Sequence, residues 1–288
     1  MAPRRRITAC RSPRWTWCAT RRRPWKWTGC APTSGGRLKR MTLPPLLLLA
    51  DSAPLFWRVE GRPFLDYVRV LTGAELRVPP VKAAYLGASN GDVPEFYDIF
   101  VAAMEGIGLT RCRSIPAAPS GEDLAWLKDA DVILLAGGDP RVGWNAFQAH
   151  GVDAILRERH QAGAVLMGVS AGAMHLGLGA WCEDLPGEGE PFPVLGLAPY
   201  LIGVHEPPEW PGLKAALRRM GLPTRALGIP QGGGVLLHSD GSVEPVRQTV
   251  VDVTVDVEGR LHESLLMPPA TPYRGESPEA PVDRRTLQ

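Results

Sequence analysis

The amino-acid sequence predicts an α/β fold: a doubly wound, mostly parallel sheet with helices on both faces. Three observations carry this. From Leu46 onward, short apolar runs alternate with longer segments of helical periodicity, the pattern of parallel strands covered on both sides. One such run ends in "GVSAG", Gly168–Gly172, with a helical pattern behind it, so strand, sharp turn and helix follow one another. The chain has 288 residues and is 44% hydrophobic, enough apolar surface for a large buried core.

In chain order, the predicted strands are Leu46–Ala50, Ala83–Gly87, Val132–Ala136 and Ala164–Gly168. Pro63–Leu71, Pro94–Ile107 and Ala149–Gln161 read as helices between them, two of them with proline in the first turn, where its missing N–H is not needed. Beyond Ser170 the pattern loosens into a loop-rich stretch reaching Tyr200. A helix near Leu213–Met220 follows, then strands near Ala226–Ile229, Val235–Ser239 and Val243–Val246 around the turn "SDGS". The domain reading is a basic leader over residues 1–40, one α/β domain over 41–267, and a Pro-rich flexible tail over 268–288.

The formal net charge of +2 conceals an uneven distribution. Residues 1–40 hold 12 of the 32 Lys and Arg, four of the nine Trp and no acid, without apolar periodicity. They read as a disordered or non-native leader, with Met41 as the natural start; a single-stranded nucleic-acid arm and a transit peptide are the competing readings. Without them, 20 basic side chains face 30 acidic ones, a net of about −10, which argues against a duplex nucleic-acid surface. Only Cys112 and Cys182 lie in the body, so there is no disulfide framework and a reducing, cytoplasmic location is expected. The apolar run in "LPPLLLLADSA" suits a buried strand better than a signal peptide, and no apolar run is long enough to span a membrane.

The chemistry concentrates at "GVSAGA". A tight turn holds Ser170 in a strained backbone while Gly168 and Gly172 leave room where side chains would collide with strand and helix. The hydroxyl is thereby pushed out above the sheet, and the Ala171 amide stands free to donate to a developing oxyanion. A serine needs a base to act as a nucleophile. His205, in "YLIGVHEPPEW", ends an apolar run and enters a Pro-rich loop, where a strand tip presents a side chain to a site at the sheet edge. His150 and His160 read as packing or surface residues. His175 is five residues beyond Ser170 on the same helix, in an unfavourable direction, and His238 and His262 have no polar groups gathered around them. "AGGD", ending at Asp139, closes a buried strand with two residues that let backbone N–H groups approach a ligand. Ser89 and Asn90 in "GASNGD" are candidate pocket residues, with a helix cap as the equal alternative. Asp139, "WNAF" and Arg141, an arginine suited to a carboxylate, are candidates to face the cleft.

Taken in order, "VILLAGGD", "GVSAGA", "GVHE" and "GIPQGGG" resemble the peptidase E and cyanophycinase family of serine peptidases, over roughly Leu46–Val246. The resemblance implies a flavodoxin-like sheet related to class I glutamine amidotransferases, Ser170 as nucleophile and His205 as base. It also implies an oxyanion hole formed by Gly137, Gly138 and Ala171. The family commonly has a carboxylate at the position of Gln231. An amide there can accept from an imidazole N–H and hold its tautomer, but brings no charge to the imidazolium. Asp184 resembles another acidic position of the family, with Glu183, Glu188, Glu190 and Glu206 as weaker candidates for the acid.

The expectation is hydrolysis of a peptide or isopeptide-like amide in a small substrate through an acyl-enzyme, with acidic dipeptides or the aspartate–arginine polymer cyanophycin as what the resemblance suggests. No cofactor or metal, no nucleic acid and no membrane is implied, and a homodimer is compatible. The alternative is a catalytically weakened binding or regulatory protein on the same scaffold, with Gln231 as its support. Glutamine amidotransfer would need a cysteine at position 170.

Overall fold

The computed structural model describes residues 43–182, 190–221 and 224–269, all within one compact unit spanning 41–288. The proposed leader, the Met41 start, Asp184 with Glu183 and Glu188, and nearly all of the proposed tail lie outside the described residues.

The four leucines of β1 (Leu46–Leu49) are all buried because the strand is covered on both faces: Leu46 and Leu48 join one apolar cluster, Leu47 and Leu49 the other. A hairpin of β2 (Arg58–Val59) and β3 (Arg62–Pro63) precedes α1 (Asp66–Thr72), so this helix starts three residues later than its proline suggests. Then come β4 (Lys82–Leu86), α2 (Pro94–Glu105), β5 (Arg111–Ile115), α3 (Gly121–Asp129) and β6 (Val132–Leu135). Neither β5 nor α3 was legible in the sequence. The strand's "RCRSI" carries charges at alternate positions because it is the sheet's edge, and α3 shows only a weak apolar face, its start instead set by a Ser120–Asp123 capping box.

α4 (Pro140–Ala149), which sequence reading did not give, precedes the helix expected over Ala149–Gln161; that helix is α5 (Val152–Gln161), and the two part at Gly151, whose φ of 66° is a left-handed break. β7 (Val165–Val169) leads through Ser170 into α6 (Ala171–Leu176), after which β8 (Gly179–Ala180) and β9 (Phe192–Pro193) form a short antiparallel pair. The remainder is β10 (Leu201–Val204), α7 (Pro211–Met220), β11 (Arg225–Ile229), β12 (Gly234–Leu237), β13 (Val243–Val246), β14 (Val250–Val255) and β15 (Leu261–Leu266).

The strands assemble into a seven-stranded sheet, ordered β13-β12-β1-β7-β6-β4-β5, in which β1, β7, β6, β4 and β5 are parallel and the β12–β13 hairpin is antiparallel. A second sheet, β10-β11-β14-β15, pairs β10 with β11 in parallel and closes with an antiparallel hairpin. The mostly parallel central sheet is the one the sequence predicts; the second sheet was not separated from it in the sequence. The first sheet has helices on both faces, α1 and α2 beside one apolar cluster and α3 to α6 beside the other. After β4 the chain moves outward to β5, and after β6 it turns the other way to β7; at such a reversal of strand order, ligand sites in open α/β sheets form beyond the carboxyl ends of the strands.

Candidate active site

Ser170 follows directly on β7, the strand flanked by β1 and β6, and adopts φ 51°, ψ −116°, a conformation an L-residue holds only when its surroundings impose it. Those surroundings are visible. The Ser170 N–H donates to the Leu49 carbonyl of β1 at 2.9 Å, and the Ser170 carbonyl accepts from the Ala173 and Met174 N–H groups. A Cβ at Gly168 would collide with the Gly172 carbonyl, and one at Gly172 with the Leu135 carbonyl of β6. The two glycines of "GVSAG" are therefore requirements of backbone-to-backbone contact, as the motif predicts.

His205 comes from the second sheet. The end of α6 docks on the start of β10, with the Leu178 N–H donating to the Tyr200 carbonyl at 2.9 Å, while His205 lies just past the other end of β10. The helix and strand thus run in opposite directions, and the residue at the start of one meets the residue at the end of the other. Ser170 Oγ and His205 Nε2 are 2.9 Å apart across 35 residues of sequence. His205 also has a positive φ, 43°, so both members of the pair occupy strained backbone. For the serine hydroxyl to donate to Nε2, the proton of the neutral ring must sit on Nδ1.

Gly137 packs against the serine: a Cβ there would stand 3.1 Å from Ser170 Cβ. Gly138, at φ 128°, lies so close to the Ser89 carbonyl that no side chain fits. Ala171 is the first residue of α6, where the backbone N–H has no intrahelical partner. Gly137 and Ala171 thus adjoin Ser170, while Gly138 packs on the Ser89 loop.

Other candidates are engaged elsewhere. The Asp139 carboxylate accepts from the N–H groups of Arg141 and Val142, at 2.7 and 2.9 Å, and so caps α4. Asn90 donates to the Tyr85 hydroxyl at 2.8 Å and accepts from the Val93 N–H at 3.3 Å, and its side chain does not cap α2. Ser89 is buried. The "WNAF" segment lies within α4, and its Trp144 and Phe147 point into the core rather than into the cleft. Arg141 stacks on Phe192, its guanidinium carbon 3.6 Å from the ring centroid. Glu206 is used at the N-terminus of α7, accepting from the Gly212 and Leu213 N–H groups at 2.8 and 2.9 Å, and Glu190 lies 3.8 Å from Arg219.

Gln231 stands just past β11, which pairs in parallel with β10, so it reaches the same edge as His205. It is exposed, and no hydrogen bond joins it to His205 among the described residues. The turn that carries it is held by Asp51, whose carboxylate accepts from the Gly232 N–H at 2.6 Å and the Ala53 N–H at 2.8 Å. Sequence reading passed over Asp51, although an acid directly after "LLLLA" marks the carboxyl end of a strand. His238 and His262 were expected to lack polar neighbours; instead they pair with Glu244 at 3.0 Å and Asp256 at 2.9 Å across strand turns that close only in the fold.

Comparison with known proteins agrees with this architecture. Residues 83–186 match the model of peptidase family S51. The uncharacterized peptidase YgaJ of Bacillus subtilis (strain 168) is 29% identical over 104 residues, 36% of this chain, and the match spans 43% of that relative's length. Among solved structures, a peptidase from an acI-B1 Actinobacterium superposes with a TM-score of 0.52 at 18% identity, covering 79% of this chain and 95% of that one. A Listeria monocytogenes EGD-e protein assigned to peptidase E superposes at 0.51 and 17% identity, covering 72% and 99%. The fold is thus shared with peptidase E structures. The family match takes in Gly137, Gly138 and Ser170 but ends before His205 and Gln231.

Proposed function

We propose that this protein is a serine hydrolase that cleaves a peptide or isopeptide-like amide in a small substrate through an acyl-enzyme. The observation that carries the reading is the 2.9 Å approach of Ser170 Oγ to His205 Nε2, with the serine held at φ 51°, ψ −116°. In the proposed reaction His205 takes the hydroxyl proton as Oγ bonds to the substrate carbonyl carbon, and the carbonyl oxygen gains charge beside the N–H groups of Gly138 and Ala171. The tetrahedral adduct collapses, the C–N bond breaks and the amine leaves with the proton from Nε2. Water, deprotonated by the same imidazole, then releases the acyl group.

The resemblance to peptidase E and cyanophycinase favours a substrate bearing an acidic side chain or a free carboxylate, met in the cytoplasm. A second reading, a binding or regulatory protein with a weakened triad, draws on the exposed Gln231 that makes no hydrogen bond to His205. One experiment separates them. Purified wild type and Ser170→Ala are treated with a fluorophosphonate probe and with a dipeptide library containing Asp-X and β-aspartyl members, and hydrolysis is read by mass spectrometry. Labelling and turnover by wild type, both lost in Ser170→Ala, are expected; an unlabelled, inactive wild type selects the binding reading.

A further inference from the structure

Behind the Gly137–Gly138 loop, two buried polar atoms have no hydrogen-bond partner: Nδ1 of His175 and Oγ of Ser89. His175 is 0% exposed and sits in the last turn of α6, the helix that begins immediately after Ser170. Its Nε2 is 2.7 Å from the Pro140 carbonyl, an acceptor, so the ring carries its proton on Nε2. Burial pushes its pKa down to about 4, which keeps it neutral. Trp144 and Phe147 of α4 flank the ring, with centroids at 6.0 and 5.4 Å. A Cβ at Gly143 would run into Ser89 Oγ and come within 3.0 Å of His175 Cε1, so α4, α6 and the Ser89 loop meet with no space to spare.

An aliphatic or phenyl side chain would fill this apolar niche without leaving a buried nitrogen unmet, which costs free energy. What the imidazole adds is the bond to Pro140. The loop 137–140 is then held from two directions, by the Asp139 N–H donating to the Ser89 carbonyl at 2.8 Å and by His175 donating to Pro140. We propose that His175 is a positioning residue: it clamps the loop bearing Gly137 and Gly138 to the helix that carries Ser170, so that the oxyanion donors and the nucleophile keep one fixed geometry. The inference rests on the hydrolase reading. Two consecutive glycines have the loosest backbone in any loop, and a displacement of about 1 Å between reacting groups costs on the order of 100-fold in rate.

The test uses His175→Phe, which keeps the ring and loses the donor, and His175→Gln, which keeps a donor at comparable reach. Kinetics on the hydrolysed dipeptide are measured beside inhibition by the matching peptide aldehyde, whose adduct places an oxyanion in the hole. Expected is a His175→Phe protein with KM little changed, kcat down on the order of 100-fold and aldehyde affinity reduced in parallel, with most of each restored in His175→Gln. A wild-type kcat in His175→Phe, a loss confined to KM, or a folded His175→Gln as impaired as His175→Phe overturns the clamp. Should His175→Phe fail to fold, His175→Asn, whose donor falls short of Pro140, replaces it with the same expectations. Amide hydrogen exchange of the peptide spanning 137–141 separates this from failure of the hydrolase reading. Faster exchange in His175→Phe with protection restored in His175→Gln supports the clamp even without turnover, and unchanged exchange overturns it even in an active enzyme.

Discussion

Gln231 poses the sharpest question at the scale of single residues. A histidine that must become an imidazolium is helped by a carboxylate on its Nδ1 side, and this chain places an exposed amide at the strand end adjoining His205. If position 231 is the triad's third position, Gln231→Glu raises kcat by about tenfold or more, because a charge then faces the imidazolium. Steady-state kinetics on the library hit check this. An unchanged kcat in Gln231→Glu together with collapse in Asp184→Ala would instead assign the acid to Asp184. Ser170 and His205 were legible because each follows an apolar run at the end of a strand. Asp139 was not, because an acceptor beside a helix start reads identically whether it caps the helix or meets a ligand. Its carboxylate satisfies backbone N–H groups that would otherwise lack partners.

Among the elements, the β7–Ser170–α6 unit is where local sequence and tertiary contact depend most closely on each other. Gly172 sits on the first turn of a six-residue helix, yet its neighbour is the Leu135 carbonyl of another strand, a backbone atom that cannot rotate away. Gly172→Ala is therefore expected to destabilise the fold by about 3 kcal/mol, at the upper end of ordinary overpacking, measured as a lower urea midpoint at unchanged m. The α4–α5 pair teaches the complementary lesson. The helix read over Ala149–Gln161 corresponds to α5 alone, while α4, parted from it at Gly151, is anchored by Asp139 and Pro140, residues read instead as a loop beside the cleft. The edge strand β5 stayed hidden because its charged positions obey solvent exposure at a sheet margin, not the wholly apolar pattern of its neighbours.

For the molecule as a whole, the buried imidazole of His175 links stability to acidity, with His160, whose pKa burial also lowers, acting in the same direction. His175 is held down to about 4 by burial, with the Pro140 hydrogen bond and the Asp139 charge opposing that shift more weakly. Its unfolded value is near 6.5, so below that pH the unfolded chain binds the proton first and stability falls as the pH drops toward 4. A depression of this size corresponds to about 3 kcal/mol lost between neutral pH and pH 4. Unfolding free energies measured across that range are expected to fall more steeply in wild type than in His175→Gln. Parallel slopes would show that the ring is protonated without penalty.

Across that whole, the sequence by itself determined the α/β class, the parallel strands β1, β4, β6 and β7 to within a residue or two, and the serine turn. These follow from local rules: a strand buried on both faces must be apolar throughout, and a turn squeezed between two backbones must be glycine. The division into two sheets, the arrival of His205 at Ser170 and the grip of His175 on Pro140 were decided only by the tertiary structure. Each joins groups 35 residues or more apart, or depends on which strand lies beside which, and hydrogen-bond geometry of that kind leaves no periodic trace along the chain.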